Sequence, residues 1–128
     1  MSKNQKYISW GAQIVAAAIL AMAMVPKFIG APEAIDTFTT LGVEPWGRYV
    51  VAMGELLAVV LLVAPLRQHA LGALVAVGLM LGALGSHAWK LGFSGDAASL
   101  AGMAVVVLIA GLAVLYLRRQ ELPIVGEG

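Results

Sequence analysis

Four stretches of this chain are free, or almost free, of charge: Ile8 to Pro26, Tyr49 to Leu66, Ala70 to Ser86 and Ala97 to Leu117. Only the second holds a charged residue, Glu55. Each run is close to the ~20 residues that cross about 30 Å of hydrocarbon at 1.5 Å per residue. The chain has 128 residues, 61% of them hydrophobic and 12% charged. A soluble domain of this size has too much exterior to hide that much apolar surface. Lipid is the solvent that fits. Four transmembrane helices follow, over about 7–26, 47–65, 70–89 and 97–118. With no soluble segment left over, residues 1–128 read as a single transmembrane domain. The expected fold is all-α: an integral membrane four-helix up-down bundle.

The connections refine this plan. The link around 66–69 is short, so the second and third spans are antiparallel neighbours. The first connection is long and patterned. Pro32 suits a first helical turn, Ile35, Phe38 and Leu41 recur at spacing three, and Gly42 is a good stop. This predicts a short amphipathic interfacial helix over 32–41, between the first and second spans. Trp46 and Tyr49 are placed at headgroup depth. Lys90 to Asp96 reads as a plain turn. Gly78 and Gly82 fit the small-xxx-small spacing, and the expected role is packing within the bundle, with a dimer face as the sharper reading. Met22, Met24, Met53, Met80 and Met103 read as core filling.

Lys and Arg gather on the cytoplasmic side of membrane proteins. Four spans put Lys3, Lys6, Arg67, Arg118 and Arg119 on one side. Lys27, Arg48 and Lys90 share the other with Glu33, Asp36, Glu44 and Asp96. Both termini are therefore expected inside, in an inner or plasma membrane. Lys3 and Lys6 before an apolar run, with Ala21-Met22-Ala23, resemble a secretory signal. The run is long for a signal core and Lys27 follows it, so the first helix is expected to be retained. Net charge is +1, with no basic run, so nucleic acid is not an expected partner. The absence of cysteine removes disulfides, thiol chemistry and thiolate metal sites from this chain.

Glu55 is the anomaly. An ionisable group at membrane depth costs roughly 2.5–3.5 kcal/mol on the lenient insertion scale and normally has a partner or a wet cavity. It lies seven residues beyond Arg48, about 10 Å into the bilayer from the outer end. Helical Cα–Cβ bonds lean toward the helix N-terminus. Lys27 and His87, near the outer ends of outward-running helices, lean down. Glu55, on an inward-running helix, leans up. Lys27, Glu55 and His87 are thus a candidate intramembrane polar cluster, with Arg48 as a competing partner. Structural ion pair, functional pocket and an unpaired neutral Glu55 are all open readings. Gln13 is expected to bridge helices near the inner side, and Trp46 to mark the outer interface. His69 stands about 27 Å from His87 along one helix, so the two do not share a haem. No metal-ligand spacing, nucleophile–base pair or phosphate loop is present, and no catalytic residue is assigned.

Pro26-Lys27-Phe28-Ile29-Gly30, Leu41-Gly42-Val43-Glu44-Pro45, Gly54-Glu55-Leu56-Leu57, Val63-Ala64-Pro65 and Gly85-Ser86-His87 occur in that order. Together they resemble the DoxX-like family of small four-helix membrane proteins over nearly the whole chain. The Glu-Leu of the second span, the proline at its end and the late histidine also look like the NACHO branch of receptor-assembly chaperones. The resemblance implies a four-helix bundle and directs attention to Lys27, Glu55 and His87. It leaves three functions. The favoured one is a non-catalytic accessory or chaperone-type protein. It binds a membrane partner or small hydrophobic ligand through the outer-half cluster, and needs no cofactor. The alternative is a quinone-interacting subunit of a membrane redox complex, with quinone as cofactor. A small proton-coupled transporter ranks below both. The expected partners are the lipid bilayer and another membrane protein or a second copy.

Overall fold

The computed structural model describes residues 2–64, 68–92 and 96–121, and the described segments are helical almost throughout. The expectations for Pro65, Arg67 and Gly95 lie outside the described residues. Helix α1 spans Lys3–Ile29. It opens on a capping box: Ser2 Oγ accepts from the Gln5 backbone N–H, and Gln5 Oε1 accepts from the Ser2 N–H. The sequence places its end at Pro26, but the helix runs through the proline for three more residues. Membrane helices tolerate an internal proline because neighbouring groups re-satisfy the backbone. Gly30, at φ 72°, then ends it in the left-handed region open to glycine.

Helix α2 covers Pro32–Leu41, with proline in its first turn and Gly42 (φ 78°) as its stop. These are the bounds the sequence predicts. Phe38 is its buried anchor, while Glu33, Asp36 and Thr40 are exposed. Helix α3 is Trp46–Val63 and α4 is His69–Ser86. Helix α4 continues into a π-helical turn, His87–Leu91, closed by the Gly92 N–H donating to His87 O at 2.8 Å. Lys90 therefore still belongs to the helix and not to a plain turn. Helix α5 spans Asp96–Leu117, followed by a 3-10 turn, Arg119–Glu121.

Four of these helices are long and apolar enough to cross a membrane. They alternate in direction and pack as a ring in the order α1, α3, α4, α5, with α1 and α4 on the diagonal. The end carrying residues 2 and 121 is the inner end below. Helix α2 lies across the outer end, against α1, α3 and the π-turn. The core is built from small side chains: Ala16, Ala58, Ala73, Ala76 and Ala104 interleave with Leu20, Leu62, Met80, Val107 and Val114. Small residues let helices approach closely where no hydrophobic drive exists between them.

Two expectations about packing are corrected. Gly78 and Gly82 do not pack within the bundle; a Cβ added to either meets nothing within 4 Å, and both face outward. The close approach is made at Gly72. There a Cβ would stand 2.8 Å from Leu61 Cβ and 2.9 Å from the Leu62 backbone nitrogen. Of the methionines, Met80 is in the core, whereas Met22, Met53 and Met103 are exposed on the apolar outer surface. In lipid an outward apolar side chain is in its preferred solvent, so hydrophobicity alone does not mark a core position.

Candidate functional site

Two polar clusters interrupt the apolar bundle, one toward each end. The outer cluster begins with Glu55, halfway along α3 and 2% exposed. Lys27 Nζ, from the last turn of α1, stands 3.0 Å from Glu55 Oε1. The opposite charges lie close enough for strong attraction in a low dielectric. At this distance the two form an ion pair within hydrogen-bond reach, enclosed by the bundle. Lys27 Nζ makes its directed donation to Ala23 O, one turn back, at 2.9 Å. The lysine side chain is 17% exposed, so the pair is closed on the carboxylate side and partly open on the ammonium side.

Arg48 does not reach Glu55. Its Nε donates to Glu44 Oε1 (2.9 Å) and Oε2 (3.1 Å), one helical turn before it. Its Nη1 donates to Lys27 O at the end of α1. The guanidinium also lies over the Tyr49 ring, 4.5 Å from its centroid. Arg48 thus clamps the backbone of the residue whose ammonium meets Glu55. Gly30 leaves room for this: a Cβ there would stand 3.5 Å from Arg48 Nη1. His87 is buried at the same end, on the π-turn, and its Nδ1 donates to Gly92 O at 3.0 Å. Trp46 is exposed at the start of α3, as an interfacial aromatic would be. Of the residues singled out from sequence, the structure joins Lys27 to Glu55, with Arg48 on the Lys27 backbone.

The inner cluster is one that sequence reasoning largely missed. Ser9 Oγ donates to Gln13 Oε1 at 2.7 Å, and Gln13 Nε2 donates to Leu62 O at 2.5 Å. Arg118 Nε reaches Ser9 Oγ (2.7 Å) and Gln13 Oε1 (2.8 Å). Arg118 Nη1 donates to Glu121 Oε2 at 3.2 Å. Glu121 Oε1 accepts the Ala70 N–H at 3.0 Å, capping the start of α4. His69 Nε2 donates to Ala64 O at 2.9 Å, and its ring meets Trp10 edge-on at 5.0 Å. The network therefore touches α1, α3, α4 and α5. Gln13 bridges helices as expected. His69 and Arg118 enter the sequence reading only through haem spacing and charge bias, and Ser9 and Glu121 not at all. Ser9 and Gln13, four apart on one helical face, are the only sequence signal for it.

Chemically, the outer cluster offers a carboxylate and an ammonium side by side within lipid depth. The inner one is a mesh of hydrogen bonds closed on itself. Among the described residues no group of His, Asp and Glu could hold a metal ion. No curated protein and no solved structure matches the chain. The model of the DoxX-like family matches residues 11–115, a range that takes in both clusters except Ser9, Trp10, Arg118 and Glu121. With four membrane-length helices around an alanine-rich core and a family match over most of its length, this integral membrane protein belongs to the DoxX-like family.

Proposed function

We propose that the protein is a non-catalytic accessory or chaperone-type membrane protein that engages a membrane partner through the outer-half polar cluster. One observation carries this reading: Glu55, almost fully buried at the α1–α3 contact, pairs with Lys27 at 3.0 Å, and the Lys27 side chain stays partly open to the outside of the bundle. A purely structural intramembrane ion pair gains most when its remaining lone pairs and protons are satisfied. Here the carboxylate is enclosed while the lysine side of the pair is partly open, which leaves ammonium hydrogens to share. Such a site suits a contact completed by another molecule. The motif likeness of Glu55-Leu56 and His87 to the chaperone branch points the same way. The orientation that goes with this reading has both termini in the cytoplasm and the cluster in the outer leaflet.

The test is recovery of the protein from native membranes in mild detergent. Parallel samples carry Lys27→Met and Glu55→Leu together, with thermal unfolding confirming that the variant folds. The expected outcome is a co-purifying membrane protein that is lost with the variant. Recovery of this protein alone at every expression level counts against the reading. A soluble quinone analogue is the second arm, and no thermal shift is expected. A stabilisation that disappears with Lys27→Met would replace the accessory reading with the quinone one.

A further inference from the structure

The inner cluster holds one contact that a neutral imidazole leaves unmade. His69 is the first residue of α4, is buried, and has its Nε2 2.9 Å from Ala64 O, at the end of α3. A carbonyl only accepts, so Nε2 carries the hydrogen and the neutral ring keeps a bare lone pair at Nδ1. That Nδ1 is buried, makes no hydrogen bond, and lies 3.7 Å from Glu121 Oε2. Two acceptors thus face each other away from water, where an unmade bond is most unfavourable. One added proton makes them donor and acceptor.

The geometry puts that proton on the ring. Glu121 already accepts from Arg118 Nη1 at 3.2 Å and from the Ala70 N–H at 3.0 Å, whereas nothing engages Nδ1. Around the ring, α1 supplies Trp10, α3 supplies Ala64 O, the 3-10 turn supplies Glu121, and Arg118 follows α5. Of these, Glu121 and Arg118 are charged. Arg118 and the N-terminal end of α4 both oppose a cation at His69. Glu121 offsets both, with one oxygen shared by Arg118 and the ring and the other on the Ala70 N–H of that helix start. We propose that His69 and Glu121 form a proton-operated tie at the inner end of the bundle. Imidazole ordinarily changes charge between about pH 5 and 8. In acid, Nδ1–H donates to Glu121, and the ring joins the end of α3 and the start of α4 to the turn after α5. As pH rises the ring loses that proton and the tie opens, leaving the turn held by Arg118 and the Ala70 cap. The added stability therefore belongs to the acid side and is lost toward alkaline pH. Nothing in this tie depends on the outer cluster or on a partner.

The test uses the whole chain in nanodiscs at about pH 5.5 and about pH 8, with its histidine rings nitrogen-labelled for NMR. The chain has two histidines, and proximity to Trp10 identifies His69. In the alkaline sample His69 should carry hydrogen on Nε2 alone, and in the acid sample on both nitrogens. Thermal midpoints of His69→Gln, Glu121→Gln and the double variant complete a cycle at each pH, in which any titration of His87 cancels. Glu121→Gln keeps an oxygen for the Ala70 N–H. The expected coupling between the two positions is about 3 °C in acid and near zero in alkali. Coupling that is equal at the two pH values, or absent from both, overturns the tie. So does a His69 ring that stays neutral in the acid sample, or whose neutral form carries its hydrogen on Nδ1. The natural protein alone answers that second question, even if a variant does not fold.

Discussion

Glu55 shows how one residue can organise a membrane bundle. Its depth was legible because a lone carboxylate in an apolar run has few ways to be tolerated. Its partner was legible because Cβ directions on antiparallel helices converge, and Lys27 does reach it. What sequence could not supply was the fate of Arg48, which is seven residues away and on the same face. Glu44 and the Lys27 carbonyl capture it instead, and neither contact has a periodic signature. Because Glu55 is buried and Lys27 partly open, removing either leaves a charge uncompensated. Lys27→Met and Glu55→Ala should each destabilise the protein, by about 1–3 kcal/mol, the cost of a buried polar group left without its partner. The double change should be milder than their sum, with a coupling of about 1 kcal/mol or more in a double-mutant cycle followed by detergent unfolding. Additive effects would mean that the 3.0 Å contact carries no energy. At the inner end, Arg118→Leu strips Ser9, Gln13 and Glu121 of a common donor. It should cost about 3 kcal/mol, since it breaks charge-assisted bonds and leaves buried acceptors unpaired. A thermal midpoint equal to the natural protein's would assign that network no role in holding the helices.

At the scale of elements, the spans were readable because hydrocarbon thickness sets helix length, and α2 because its spacing, proline and glycine agree. The π-turn was not readable. The predicted span carries the helix to residue 89, but nothing in the sequence marks the widened turn or its end at Leu91, which the Gly92 N–H donation to His87 O reveals. Which glycines pack was also hidden, since Gly72 and Gly78 sit in equally apolar surroundings on one helix. The structure separates them and yields a paired prediction. Gly72→Ala drives a methyl into the backbone of α3 at Leu61 and Leu62, where nothing flexible can yield. It should destabilise the bundle by about 1–3 kcal/mol. Gly78→Ala meets open space and should leave stability unchanged or slightly improved, because alanine favours the helix. Unfolding both variants in the same detergent checks the contrast; equal midpoints would refute the α3–α4 contact at Gly72.

For the whole molecule, a ring of four helices with a polar cluster at either end accounts for how so apolar a chain keeps one register. Alanine-rich contacts set the spacing, and the two clusters oppose sliding, because displaced polar groups would be stranded in hydrocarbon. The direction of the ring in the membrane follows from charge. Lys3, Lys6, Arg118 and Arg119 mark the end with the termini, while Glu33, Asp36 and Glu44 accompany the cations of the other end. By the positive-inside rule we propose that this terminal end lies in the cytoplasm. The chain has no cysteine, so each introduced thiol reports only on itself. Single cysteines at Lys3 and Arg119 should react with a membrane-impermeant maleimide only after the cells are opened. Cysteines at Asp36, on the exposed side of α2, and at Lys90, on the π-turn, should react on intact cells. Labelling of all four from outside would disprove the four-span path, because Lys3 and Asp36 flank a single crossing. Labelling of Lys3 and Arg119 alone would keep the bundle and invert it, moving the Lys27–Glu55 site into the cytoplasmic leaflet.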